Sequence, residues 1–234
     1  MPIRIPDRVL LFDYGEVISL TPTEADRAAL LAVAGVAAEP FWRGYHAHRN
    51  DLDGGTLSAD AYWSAIADDC GVAWDAAKRQ ALWCADMRGW ITVDAAVVRL
   101  LEAMHAGGTR LALLSNAAEE YGSLFRFAPI GRWFEEVFVS GELRMLKPDP
   151  GIYLHVCHEL GIAPDRLVFV DNREINVRGA ESIGATGHVF TYRVEGGDLV
   201  PGRVEEGHGP KDPGDVAADV HAFAKREAKR RGLI

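Results

Sequence analysis

Four polar residues stand where apolar segments run out, and their types complement one another. Asp13 follows Val9-Leu10-Leu11-Phe12, Ser115 follows Arg110-Leu111-Ala112-Leu113-Leu114, and Asp171 follows Leu167-Val168-Phe169-Val170. Lys147 lies in the loop after Val137-Phe138-Val139. Alone, a strand-end Asp such as Asp13 often does no more than cap a turn. In a parallel sheet, however, the carboxyl ends of the strands share one edge, where open α/β sheets bind ligands. A carboxylate can attack phosphorus and form an aspartyl-phosphate. Carboxylate and phosphate are both anionic, so positive charge must lie between them. A magnesium ion (Mg2+) held by Asp13, Asp171 and one main-chain carbonyl meets that need. Lys147 would neutralise the remaining phosphoryl oxygens. Ser115 precedes a helix and offers its hydroxyl and nearby backbone N–H groups to the same anion. The implied chemistry is phosphoryl transfer by positioning and charge.

The elements that must position these groups are legible. Short runs rich in β-branched and aromatic residues predict strands ending at Phe12, Leu114, Val139 and Val170, with a fifth at His188-Val189-Phe190. Runs buried on both faces belong to a parallel sheet under helices. Helices are predicted from Asp94 to Gly107, Glu119 to Phe127, Pro150 to Leu160 and Ile175 to Ile183. Strands alternating with helices give a Rossmann-like, doubly wound parallel α/β sheet.

Residues 19–91 interrupt that alternation with a helical pattern too long for an ordinary crossover. They read as an inserted all-helical cap on a core made of residues 1–18 and 92–234. Thr21-Pro22 reads as the first helix start, with Pro at N1. Pro40 opens a second helix carrying Trp42, Tyr45, His46, His48 and Arg49; Asp53-Gly54-Gly55-Thr56 is a turn; Ser58 starts a third helix; and Trp74 to Trp90 fits a fourth. Most of the cap's tryptophans are expected in its core. Residues 195–215 hold six of the 24 glycines and three of the 11 prolines, which predicts a loop. Residues 216–231 then form a final helix.

A net charge of −9 argues against a nucleic-acid partner. No apolar run approaches the roughly 20 residues that span a bilayer, and residues 1–7 lack a signal-peptide layout. Cys70, Cys84 and Cys157 form no CxxC pair and read as buried apolar residues of a cytoplasmic protein, a monomer or homodimer.

Asp13-Tyr14-Gly15-Glu16-Val17, Leu114-Ser115-Asn116, Lys147-Pro148-Asp149-Pro150 and Val170-Asp171-Asn172-Arg173-Glu174-Ile175-Asn176-Val177 resemble, in order, the four motifs of the haloacid dehalogenase-like (HAD) hydrolases. The resemblance covers residues 8–192 and places the helical insert where that family carries its first type of cap. It implies a Mg2+-dependent aspartyl-phosphate mechanism on a small phosphate ester, such as a sugar phosphate. The pattern is similar to the subgroup of glucose-1-phosphate phosphatase-like proteins. Asp13, Ser115, Lys147 and Asp171 then take the catalytic positions. Ser115, Asn116 and Lys147 face the substrate; Arg173, next to Asp171, would hold either the substrate or Asp171 in a structural salt bridge. Asp13, the Gly15 carbonyl, Asp171 and Asn172 face the metal.

Two residues depart from the pattern. Gly15 stands where phosphatases of the family usually carry an acid/base Asp, and Asn172 where the subgroup often has a second Asp. Glu16 lies one residue beyond the missing acid, an offset that points it elsewhere. The alternatives are a weak or inactive member that binds a phosphorylated ligand, a phosphomutase, or a dehalogenase. The last fits less well, because dehalogenases of the family replace the acids of the fourth motif.

Trp42, Tyr45 and Arg49 recur as a packing face would, yet they could also present a cation and aromatics to substrate, which makes Arg49 a further candidate.

Overall fold

The computed structural model describes residues 2–190, 192–195 and 198–201. Five strands form a parallel sheet: β1 (Val9–Phe12), β2 (Arg110–Ser115), β3 (Glu136–Val139), β4 (Leu167–Asp171) and β5 (Thr186–Val189). Their order is β3-β2-β1-β4-β5. The chain builds outward from β1 to β3, then returns to the other side of β1. The order therefore reverses between β1 and β4, the point at which such sheets open a crevice.

Side-chain alternation explains the layers. Leu10, Phe12, Leu111, Leu113, Val168 and Val170 join one hydrophobic cluster; Val9, Leu11, Ala112, Leu114, Leu167 and Phe169 join a second on the opposite face. Helices α6 (Ala95–Ala106) and α7 (Glu120–Phe127) cover the first face, and α9 (Pro150–Glu159) and α10 (Glu174–Glu181) the second. A short α8 (Ser140–Leu143) follows β3 directly.

Five helices lie between β1 and α6: α1 (Glu24–Ala34), α2 (Ala38–Ala47), α3 (Arg49–Asp53), α4 (Ala59–Asp69) and α5 (Ala76–Trp90). The ends of this insert run side by side. Ser19 and Val93 form an antiparallel bridge, flanked by Leu20 N–H to Thr92 O and Asp94 N–H to Ile18 O, both 2.8 Å. Phe41, Tyr62 and Trp63 are wholly buried in the insert, Trp74 nearly so, while Trp42 and Trp83 are half-buried against them.

Several boundaries differ from the expectation. Helix α1 starts at Glu24, where Thr23 and Asp26 form a reciprocal capping box, while the Thr21 hydroxyl is spent on Glu16. Helix α2 starts at Ala38, so Pro40 sits in its first turn, where a missing N–H is tolerated. The chain breaks at His48, which puts Arg49 on α3 rather than on one continuous helix with Trp42 and Tyr45. Asp53 closes α3 instead of opening a turn. Strand β5 begins at Thr186 and ends at Val189, its register set by β4.

Tyr192–Glu195 (β6) and Asp198–Pro201 (β7) pair antiparallel where a loop was expected from residue 195. The remainder of that loop and the helix at 216–231 lie outside the described residues. Cys84 is exposed, against expectation, because α5 turns Leu82 and Asp86 inward. Among the described residues no helix is long and apolar enough to cross a membrane.

Candidate active site

Strand β1 delivers Asp13 at its carboxyl end, where the Asp13 N–H still bonds Val170 O of β4 at 2.9 Å. Neighbouring strands deliver Ser115, the last residue of β2, and Asp171, the last residue of β4. Lys147 arrives from the loop after α8, and Asn116 fixes that loop. The Asn116 amide donates to Lys147 O and accepts from Lys147 N–H, both at 3.0 Å. The Asn116 side chain is thus committed to holding Lys147.

The Lys147 ammonium lies between the two carboxylates, 2.8 Å from Asp13 Oδ1 and 2.7 Å from Asp171 Oδ2. A third hydrogen bond, 3.2 Å to Leu114 O, uses the last ammonium proton. Asp171 is wholly buried. Its Oδ1 accepts from Arg173 N–H at 2.7 Å, and the Asn176 amide nitrogen donates to both of its oxygens at 3.1 and 3.0 Å.

Two carboxylates and one ammonium leave a buried excess of negative charge. Burial pushes the Asp13 carboxyl up to about 7, against the pull of Lys147 and with the repulsion of Asp171. Burial also opposes the charge on Lys147, but the two carboxylates outweigh it and the net direction is upward. A proton on Asp13 is one way to relieve the excess; a second cation is the other.

The groups present suit such a cation. Asp13, Asp171, the Gly15 carbonyl and the Asn172 amide are hard oxygen donors. Asn176 Oδ1 is buried beside them with no hydrogen-bond partner. Among the described residues no cluster of three or more His, Cys, Asp or Glu forms a dedicated cage.

Above this floor is a cleft of about 340 Å³ roofed by the helical insert. Asp13, Gly15, Ser115, Asn116, Lys147, Asn172 and Arg173 all reach its wall, whereas the wholly buried Asp171 does not. Arg173 is exposed at the edge. Gly15 is not sterically required, since a Cβ there would meet only Trp90 Cζ3 at 3.8 Å. Glu16 adopts a positive φ of 59°. Its carboxylate accepts from Thr21 Oγ1 at 2.9 Å and from Asn172 Nδ2 at 2.8 Å. Glu16 therefore positions Asn172, leaving Asn172 Oδ1 for another partner.

Arg49 does reach the cleft, but its guanidinium is engaged. Nε bonds Asp53 Oδ2 at 2.9 Å, and Nη1 contacts Tyr45 Oη at 3.2 Å and Asp86 Oδ2 at 3.4 Å. Sequence reasoning missed Asn176, Asp53, Asp86 and Tyr121. Asn176 had a signal, lying within the fourth motif and in the first turn of α10, which follows Asp171. The other three come from separate helices, and only the fold brings them together.

The family model of haloacid dehalogenase-like hydrolases matches residues 25–184, more than half of the chain, and the chain belongs to that family. A phosphoglycolate phosphatase of Nitrosospira multiformis is 35% identical over 91 residues, 38% of this chain and 39% of that protein. An (S)-2-haloacid dehalogenase 4A of Burkholderia cepacia is 29% identical over 85 residues, 36% and 37% of the two chains. These matches span about two fifths of the relatives' length. A HAD family enzyme of Bacteroides thetaiotaomicron, solved with magnesium and inorganic phosphate, superimposes with a TM-score of 0.63 at 20% identity, over 78% of this chain and 93% of that one. At that identity the likeness shows the fold.

Proposed function

We propose that this chain is a Mg2+-dependent phosphatase of a small phosphate ester, with residues 19–91 acting as a cap over the site. The observation that carries the reading is Lys147 bridging Asp13 and Asp171 on the floor of the cleft. That arrangement holds one carboxylate at the cleft wall and sets an ammonium beside it, as in-line attack on an anionic phosphoryl group requires. Relatives bearing phosphatase names support the same substrate class.

In this reading Asp13 Oδ attacks phosphorus, the bond to the ester oxygen breaks, and the alcohol leaves with a proton taken from water. A second water attacks the phosphorus of the aspartyl-phosphate, releasing inorganic phosphate and restoring the Asp13 carboxylate. Ser115 and the backbone N–H groups after it hold the phosphoryl oxygens, while Lys147 neutralises them and keeps Asp13 aimed. Asp13, the Gly15 carbonyl, Asp171 and Asn172 would hold Mg2+, with Asn176 Oδ1 beside them. The ion supplies the positive charge that lets the two anions meet.

The test is hydrolysis of p-nitrophenyl phosphate and a panel of alkyl phosphates, with and without Mg2+, by wild type and Asp13→Asn. The expected result is metal-dependent turnover that falls at least about 10³-fold in Asp13→Asn. No turnover of any ester, with phosphate still bound, would replace this reading with that of a phosphate-binding protein. Turnover of 2-haloacids without metal would replace it with dehalogenation.

A further inference from the structure

The helical insert holds a second cavity. It has a volume of about 410 Å³, larger than the catalytic cleft, and lies between α1, α2 and α5. Tyr45, His46 and Trp90 line both, so the two spaces meet at these three rings. Trp90 reaches towards the reacting end, where its Cζ3 would stand 3.8 Å from a Cβ on Gly15. One indole thus runs from beside the catalytic loop into the insert.

The wall of the second cavity is apolar where it is accessible. Pro22, Ala28, Leu31, Trp42 and Ala85 supply it together with Trp90, and all six are half-buried or exposed. The acidic groups of the wall are already spent. Asp26 accepts from Thr23 N–H at 3.0 Å and from Thr23 Oγ1 at 2.6 Å; Asp86 accepts from Tyr45 Oη at 2.7 Å. On the cleft side Arg49 and Asp53 both line the roof and bond each other. A hydroxyl-rich tail would give up water here for few new hydrogen bonds. An apolar tail gains by leaving water, and aromatic walls suit an aromatic guest.

The chemistry at the reacting end points the same way from an independent observation. Gly15 carries no acid, and the Glu16 carboxylate is committed to Thr21 and Asn172. An alcohol that leaves without a protein acid must be stable as its anion. A phenol, which titrates near 10 as tyrosine does, meets that condition far better than an alkanol.

On the phosphatase reading, we propose that the substrate is an aryl phosphate: the ring on the ester oxygen lies against Trp90, and an apolar extension enters the cavity between α1, α2 and α5.

The experiment measures binding rather than turnover, so it does not depend on catalysis. Full-length Asp13→Asn protein with Mg2+ is titrated by calorimetry with ethyl phosphate, phenyl phosphate, biphenyl-4-yl phosphate and ribose 5-phosphate. Phenyl phosphate is expected to bind at least about 5-fold tighter than ethyl phosphate, and biphenyl-4-yl phosphate at least about 10-fold tighter than phenyl phosphate. Inorganic phosphate should displace the biphenyl ester, because its phosphoryl group occupies the catalytic floor. Adding Ala85→Phe fills the second cavity from α5 and should cut the biphenyl-to-phenyl ratio by about 10-fold. Leu31→Asn sets an amide in the same wall from α1 and should cut it by about 3-fold, which keeps the test open if Ala85→Phe misfolds. Equal affinities, tighter binding of ribose 5-phosphate than of phenyl phosphate, a biphenyl ester that phosphate does not displace, ratios unmoved by the variants, or no binding of any probe would overturn the inference. The phosphatase reading fails separately, on wild-type protein without Asp13-dependent turnover.

Discussion

Position 15 is where the chemistry of this site departs furthest from the pattern it resembles. A Cβ on Gly15 would make one ordinary contact, with Trp90 at 3.8 Å, and Gly15 is not among the glycines with positive φ. Nothing in the backbone therefore demands glycine. The neighbouring carboxylate does not replace an acid, because Glu16 is turned through a positive φ and held by Thr21 and Asn172. On the phosphatase reading, leaving groups must then find their proton in water, which penalises alkoxides far more than p-nitrophenolate. Gly15→Asp should raise kcat for alkyl phosphates by about 10²-fold or more, within the range of general acid catalysis, and leave p-nitrophenyl phosphate nearly unchanged. Steady-state rates across leaving groups of graded pKa would check this. A uniform rise, or none, would show that the proton is already supplied by another group.

At the scale of elements, the roof is held to the floor by a few close backbone contacts. Ser140 Oγ of α8 donates to Asp53 O at 2.5 Å and accepts from Ala117 N–H at 2.9 Å, so one hydroxyl ties α3 to the loop after β2. Gly55 follows with φ 70°, and a Cβ there would lie 2.2 Å from Gly141 O. Gly55→Ala meets both penalties, left-handed backbone and overlap, and should cost about 1–3 kcal/mol. Because Asp53 is two residues away, KM should rise more than kcat falls; denaturant unfolding and steady-state kinetics would read the two effects. The contact also shows what was and was not legible in the chain. Strands β1, β2 and β4 were readable because burial on both faces leaves unbroken apolar runs, and that placed Asp13, Ser115 and Asp171 on one edge. The break at His48 was not, since α2 and α3 share one helical pattern and only packing separates them. Nor was the grouping of Asp53, Asp86 and Tyr121, because each residue alone reads as an ordinary helix end or surface polar group. Their positions in the chain are too far apart to leave a local signal.

The whole molecule carries a net charge of −9, and part of that excess is buried in the site. Without a metal ion, Asp13 titrates near 7 in the folded chain because burial outweighs Lys147, whereas an unfolded Asp titrates near its ordinary 3.8. Between those values the folded state holds a proton that the unfolded state has released. Stability must therefore fall as pH rises through that window, by up to about 1.4 kcal/mol per pH unit from this residue. An ordinary salt-bridged Asp would act in the opposite sense, gaining stability as pH rises. The roof adds to the same slope, since burial also pushes the Asp53 carboxyl up against the pull of Arg49. Urea unfolding of metal-free protein between pH 4.5 and 7.5 should show the decline. Asp13→Asn should be flatter and, near pH 7.5, more stable than wild type. Saturating Mg2+ should remove the difference, because an added cation favours the ionised carboxylate and releases its proton. Parallel curves for wild type and Asp13→Asn would mean that Lys147 alone keeps Asp13 ionised, and that the floor of the cleft needs no second positive charge.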